Sequence, residues 1–430
     1  MGLNKELREL AARFKSWLSD TSALDSAVVR EVLALPLSDW RAFYESYATA
    51  ERAMLTEALL VRGSVTQVQA PKEAVPICRL AINFAKSYVG RTADEQSRAI
   101  LLEGDSWREC AYSQFRLGDF VDAQQAANEA AFNYSVLLND GEPGELSLHG
   151  DVLAHYIGVI GDYYRNGAIS AEPLNGYKRV AMENATRLGV LIGQILHSLG
   201  KTEDGLAMIE RSCEVLLFLE SKDRYVAARN IYALVLGEAL RWPEALEVFE
   251  STAALAAESD DLEVQAILLG NIGACYYYLG NRTKAKECAE VAVQMLEDLE
   301  RHIDAIRPRT LLVLLLMEEG ERNNTKYLRA AAELFKSRAA WLAAGMKNEA
   351  ARVMVRIIRA FIMAGRQQSI NWAEMNRTFN DARLGRAALG ALRYLEDIAA
   401  RRTLNPADVD DAEEMLAHLA PSGELFEEAG

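Results

Sequence analysis

The feature that most restricts how this chain can fold is a spacing. Turn signals fall at Gly118, Gly200, Leu240, Gly280 and Gly320, so the later ones recur every 40 residues. The first interval is close to twice that, which predicts a further turn near Gly167. Recurrence at such a period marks an array in which one unit is copied, because each copy buries its apolar face only against its neighbours. The clearest unit runs from about Val264 to Leu299. Its first helix carries Leu269, Ile272, Gly273 and Tyr276, its turn lies at Gly280 and Asn281, and its second helix carries Ala285, Ala289 and Ala292. The intervening stretches are rich in Ala, Leu, Glu and Arg, with only nine prolines in 430 residues. No series of alternating Val, Ile and Thr runs separated by hairpin turns occurs. The repeated unit is therefore a helical hairpin, and the fold class is all-α.

Two antiparallel helices approach closely only where facing positions lack bulk. Reading mid-first-helix, early-second-helix and late-second-helix positions, four hairpins give Ala111, Ala123, Ala130; Gly193, Gly205, Ser212; Ala233, Ala245, Thr252; and Gly273, Ala285, Ala292. All are small. Pro243 follows Trp242 at the start of a second helix, where a first-turn proline is tolerated. Pro71, Ala74, Cys78 and Ala81 read as the second helix of a degenerate first unit, whereas Val313 and Thr325, then Ile358, Ile370 and Arg377, mark the last units as divergent or capping.

Trp107, Ala111, Gly118, Phe120, Ala123 and Ala130 reproduce the pattern of the tetratricopeptide repeat, and at these residues the chain resembles that family. The 40-residue spacing exceeds the usual 34, which implies longer helices, as in the family's regulatory and adaptor branches. The run from Val28 to Gly365 is also similar to long bacterial tetratricopeptide proteins encoded beside regulatory genes. The resemblance implies a right-handed superhelix of helical hairpins, an α-solenoid with helical caps. The layout is an N-terminal helical cap over 1–49, the repeat superhelix over 50–365, and a C-terminal helical cap over 366–430 ending in an acidic tail from Pro421.

Such a superhelix implies a concave groove lined by first helices. The groove positions are Tyr112, Phe115 and Arg116; Gln194 and His197; Asn230; Asn271, Tyr277 and Tyr278; Arg307; and Arg352, Arg356 and Arg359. Asn271 matches a position at which peptide-binding members hold a ligand backbone, and Asn230 is displaced from it by one residue. Arg352, Arg356 and Arg359 lie along one helical face and could take an acidic segment or a carboxylate through bidentate contacts. They could equally pair with Glu318 or Glu349. Three consecutive tyrosines cannot face one way, so Tyr276 is assigned to the core, and Tyr277 and Tyr278 either to the groove or to packing on the next unit. Trp107, Trp242, Trp341 and Trp372 read as structural.

Signals for catalysis are decoys. Gly200, Lys201 and Thr202 would end a phosphate loop if glycine stood at position 195, but Ile195 stands there and the triplet joins two helices. His149, Asp151 and His155 form a local cluster without a zinc-binding helix pattern, and capping accounts for them. No Gly-x-Ser-x-Gly turn occurs, and Cys275 and Cys288 sit at packing positions of one hairpin. No catalytic residue, metal site or cofactor is expected.

Charge and composition narrow the partners. The formal net charge is −15, from 47 Lys plus Arg against 62 Asp plus Glu, which argues against nucleic acid and against anionic membrane. The longest apolar run, Leu311 to Met317, is too short to span a bilayer, and Lys5, Glu6 and Arg8 interrupt any signal peptide. Five cysteines without a Cys-x-x-Cys pair fit a reducing, cytoplasmic setting. The reading is a non-enzymatic interaction scaffold that binds a peptide or helix of a partner protein in its groove. The alternative is a peptide- or ligand-responsive bacterial regulatory sensor that controls a separate effector.

Overall fold

Left-handed backbone punctuates the chain where the spacing places turns: Gly118 (φ 80°), Gly200 (83°), Leu240 (62°) and Gly280 (85°). Glu220 (54°) and Glu300 (57°) add the turns that join one hairpin to the next. The computed structural model describes residues 5–19, 27–88, 90, 92–138, 176–258, 261–319, 323–343, 347–381, 385–409 and 411–412. The turns expected near Gly167 and at Gly320 lie outside the described residues, as do the His149–His155 cluster and the acidic tail.

Among the described residues all regular structure is helical. The elements are α1 (Lys5–Ser19), α2 (Ala27–Leu33), α3 (Leu37–Glu45), α4 (Thr49–Gln69), α5 (Pro71–Ser87), α6 (Ala93–Leu117), α7 (Phe120–Leu138), α8 (Gly176–Ser198) and α9 (Thr202–Phe218). There follow α10 (Lys222–Glu238), α11 (Trp242–Ala256), α12 (Leu262–Tyr278), α13 (Arg282–Asp298), α14 (Ile306–Glu318), α15 (Asn324–Ala343), α16 (Lys347–Met363), α17 (Trp372–Asp381) and α18 (Gly385–Arg401). In the most regular part, α9, α10, α12 and α13 are 17 residues each, which with three-residue turns makes the 40-residue period.

The chain forms two compact units, residues 1–192 and 193–430. In the first, α1 to α3 are held on the α4/α5 hairpin by aromatic packing. Phe84 of α5 stacks on Phe14 at 6.0 Å, and Trp40, Tyr44 and Tyr47 pack around it. The guanidinium of Arg62 lies 3.8 Å from the Trp17 ring and donates to the Trp17 carbonyl oxygen. Ala74, Cys78 and Ala81 are buried on α5 as the degenerate second helix requires, with Cys78 against Gly63 of α4. Thr92 caps α6: its side chain accepts from Glu95 N, and Glu95 accepts from Thr92 N. Asn184 of α8 donates directly to Asp105 of α6 at 2.8 Å, so those two first helices are immediate neighbours.

In the second unit the small positions are the hairpin seams. Ala233, Ala245, Thr252, Ala285 and Ala292 are fully buried, as is Ser212. The tightest seam pairs Gly193 of α8 with Gly205 of α9, where a Cβ on Gly205 would stand 2.4 Å from the Gly193 carbonyl oxygen. The first helices α10, α12 and α14 touch one another in succession and so form a common layer. The second core of this unit, around Leu334, Met354, Ile357 and Ile358, gathers α15 to α18.

Candidate functional site

The layer of first helices in the second unit is built on one geometric rule. Residues 40 apart are equivalent and point the same way, whereas one further residue turns a side chain by about 100° around its helix and aims it back at the preceding first helix. Contacts across the layer therefore join residue i to residue i + 41. Asn271 Nδ2 of α12 donates to Asn230 Oδ1 of α10 at 2.9 Å. Tyr277 OH of α12 donates to Glu318 Oε1 of α14 at 2.6 Å. His197 Nε2 of α8 lies 3.1 Å from Glu238 Oε2 of α10. The one-residue displacement of Asn230 from Asn271, which the family pattern leaves unexplained, is what brings the two amides into contact.

Around Tyr277 the charges are arranged in layers. Arg282, from the start of α13, sits over the ring at 4.2 Å, donates to the Tyr277 carbonyl oxygen, and pairs through Nε with Glu318 Oε2 at 2.5 Å. Burial and the Glu318 carboxylate hold the Tyr277 phenol well above its ordinary value, while Arg282 and Arg359 pull against them. Arg359 thus lies within electrostatic reach of Tyr277, and positions 277, 318 and 359 continue the 41-residue row from α12 through α14 to α16. Arg356, half-buried, forms no hydrogen bond or ion pair with another described residue. The backbone of Arg352 belongs to α16, and its side chain lies outside the described residues.

Other nominated positions fall elsewhere. Tyr278 stacks on Trp242 at 4.1 Å and 12° on the turn edge of the hairpins. Tyr276 rests partly buried on the Ala285 and Ala289 seam, and its hydroxyl reaches Glu250 at 2.7 Å. Arg307 is exposed at the start of α14, three turns before Glu318 on the same helical face. Tyr112, Phe115 and Arg116 belong to α6 in the first unit, where Phe115 packs on Phe120 across their own turn at 5.7 Å. Gln194 is half-buried with its carbonyl oxygen sealed and unpartnered. The Gly200–Thr202 triplet is a helix-joining turn, with Lys201 N donating to the Leu196 carbonyl oxygen and Thr202 Oγ1 3.1 Å from His197 Nδ1.

Sequence reading missed a polar network in the first unit. Arg108 and Glu109 of α6 are buried side by side, with Arg108 Nη2 2.6 Å from Glu109 Oε1. Gln67 of α4 donates to Glu109 Oε2 at 2.8 Å, and Ser113 donates to Gln67. Arg108 Nη1 reaches Asp105 at 3.0 Å. Burial alone would raise Glu109, yet Arg108, Arg187 and Gln67 hold it below the usual carboxylate range. Burial alone would lower Arg108, and Tyr134, Asp105 and Glu109 hold it up. Adjacent opposite charges in the middle of an otherwise packed helix were the available signal.

The cysteines are free thiols, four of them buried and Cys288 half-buried. Burial pushes Cys110 up to about 11 and Cys275 up to about 12. Among the described residues no group of three or more His, Cys, Asp or Glu side chains is placed to hold a metal ion. No described helix is long and apolar enough to cross a membrane.

Residues 223–298 match the model of the tetratricopeptide repeat family. No curated protein matches the chain. Among solved structures, the chain is similar to a Rap protein crystallised with competence and sporulation factor, at 12% identity over 85% of this chain and 98% of that one, with a TM-score of 0.43. It is also similar to the apo form of RapI, at 15% identity over 62% of this chain and 96% of that one, TM-score 0.39. A third likeness is to a signal-transduction ATPase of the STAND class with a tetratricopeptide repeat sensor, from Pyrococcus horikoshii, at 11% identity over 97% of this chain and 69% of that one, TM-score 0.36.

Proposed function

We propose that this chain, whose residues 223–298 match the tetratricopeptide repeat model, works as a non-enzymatic interaction scaffold whose first-helix layer in the second unit takes an extended segment of a partner protein. The observation that carries this reading is the Asn230–Asn271 rung. Asn271 spends one donor on Asn230 Oδ1, which leaves Asn230 Nδ2 as a donor and Asn271 Oδ1 as an acceptor, side by side on adjacent helices and bonded to no other described residue. An extended backbone offers the complementary carbonyl and N–H, whereas a helix has already satisfied its own.

On α16, Arg356 and Arg359, the latter within electrostatic reach of Tyr277, supply cationic donors for an acidic side chain or a terminal carboxylate. Tyr277 supplies a rigid aromatic surface between the two ends. Regulation through such a segment belongs to the same reading, as an adaptor whose partner is controlled by occupancy.

The test is affinity capture with the full chain from native lysate at low and high salt, beside a Tyr277→Ala, Arg356→Ala, Arg359→Ala triple variant. A stoichiometric partner that the variant loses, and that high salt weakens, supports the reading. Capture of the same partner by the folded variant at unchanged yield overturns it.

A further inference from the structure

We propose that the outward face of α15, in the second unit, docks the acidic segment 424–428 of this same chain. This goes beyond the function proposed for the first-helix layer and does not rest on it.

α15 is apolar on two faces. One carries Tyr327, Ala330 and Leu334, which are buried in the core. The other carries Leu328 (38% exposed), Ala332, Phe335 (36%), Ala339 and Leu342 (39%). Their alternating spacing of four and three residues sets these five side chains along one straight seam, the pattern by which a helix meets a partner. The preceding hairpin has no such seam. Ala289, Ala292 and Leu296 of α13 are buried with the same spacing as Tyr327, Ala330 and Leu334, so Leu328, Ala332 and Phe335 stand where α13 has Glu290, Gln294 and Glu297. Hairpins of this array therefore stack with that face polar, and the apolar seam of α15 marks a contact beyond stacking.

The flank of the seam selects its occupant. Arg329 and Lys336 are exposed one residue beyond Leu328 and Phe335, and α15 holds four basic residues against one acid in a chain of net charge −15. Lys336 lies 2.8 Å from Glu333 at the surface, a pair that exchanges readily for another carboxylate. A second copy of α15 laid antiparallel on the seam would set Lys336 against its own counterpart, so the seam does not fit itself. Residues 411–430 carry six acids and no lysine or arginine, and within them Leu425 and Phe426 stand between Glu424 and the pair Glu427 and Glu428. The two large apolar side chains match the seam, and the carboxylates match Arg329 and Lys336. Reach is sufficient. Leu404, Val409 and Ala412 pack in the same core as Leu334 and Trp341 of α15. The residues from Ala412 to Glu424 span at most about 40 Å, against a length of about 30 Å for α15. A tether this short gives the segment an effective concentration on the order of millimolar, so a weak contact is populated without a second molecule.

The test places a photoreactive benzoyl-phenylalanine at position 426 of the full chain, irradiates a mixture of isotope-labelled and unlabelled protein, and maps the crosslinks by mass spectrometry. The expected product joins position 426 to α15 within one chain. Its yield falls about fivefold or more on Arg329→Glu with Lys336→Glu, and likewise between about 50 mM and about 500 mM salt. Lys5→Glu with Arg8→Glu, the same change of charge on exposed residues of α1, leaves the yield unaltered. Glu427→Lys with Glu428→Lys restores it in the α15 double variant. Crosslinks of mixed labelling, which place the segment of a second copy on α15, overturn the proposal. So do an absence of crosslinks, crosslinks confined to other elements, or an α15 yield that neither salt nor the folded 329 and 336 variant changes.

Discussion

Leu240, Glu220 and Glu300 hold left-handed backbone at turns where Gly200 and Gly280 hold the same conformation at ease. A side chain there crowds the following carbonyl, and all three residues are exposed, so nothing in the packing offsets the strain. Leu240→Gly and Glu300→Gly should each stabilise the protein by about 0.5–1 kcal/mol, read as a higher urea midpoint at constant slope. A lower midpoint would mean that these side chains contribute contacts that outweigh the strain. Glu109 permits a second residue-scale prediction. Its folded pKa is depressed, so its contribution is complete above the unfolded carboxylate value of about 4.3 and is lost as pH falls through the lower, folded value. Glu109→Gln should therefore be less stable than the wild type near neutrality, and the gap should close below about pH 4 in urea titrations over that range. A gap that stays constant with pH would show that the loss comes from packing and not from charge. Single residues were the hardest to assign from sequence. The turn glycines were legible because φ preference is a property of the residue itself. The role of Asn271 was not, because it depends on a rotation of one residue relative to a helix 41 positions away.

At the scale of the helix and the hairpin, seams were legible where they were small and periodic. Ala123, Ala130, Ala245, Ala285 and Ala292 are all fully buried, since a helix pair that must approach closely leaves no room for another choice. Charged networks were legible only in part: the adjacent Arg108 and Glu109 are a local signal, but Asp105 gains its meaning only when Tyr134 of α7 and Asn184 of α8 arrive. The aromatic cluster of α1 to α5 escaped for the same reason, because its helices are short and share no period with the repeat. The seams also differ in tolerance. An added Cβ at Gly205 meets the backbone oxygen of Gly193 at 2.4 Å, whereas one at Gly273 meets the Ala285 carbonyl oxygen at 3.2 Å. Gly205→Ala should therefore force α8 and α9 apart and cost about 3 kcal/mol or more. Gly273→Ala should cost at most about 1 kcal/mol, since the helix preference of alanine offsets part of the crowding. Chemical denaturation of both variants decides this, and equal losses would mean that the α8–α9 seam is looser than its glycines imply.

At the scale of the whole chain, an array of hairpins is quasi-one-dimensional: each unit is stabilised chiefly by its neighbours, so a unit can be removed if the register of what remains is kept. α10 begins at Lys222 and α12 at Leu262, so residues 222–261 are one full period. Their deletion joins Ser221 to Leu262, sets α12 where α10 stood, and leaves first helices beside first helices. The shortened protein should keep its helical content per residue and unfold cooperatively, at a lower midpoint because one interface and the burial of Phe249 are lost. Deleting only 222–241 removes a single helix of the pair. α11 would then take the place of a first helix, its Ala245 seam would face the wrong neighbour, and the layer carrying Asn271, Tyr277 and Glu318 would turn to the opposite side. That variant should lose helicity or aggregate. Circular dichroism and urea melts of the two deletions distinguish a periodic array, in which the longer deletion is the milder, from an irregular bundle, in which damage grows with the number of residues removed.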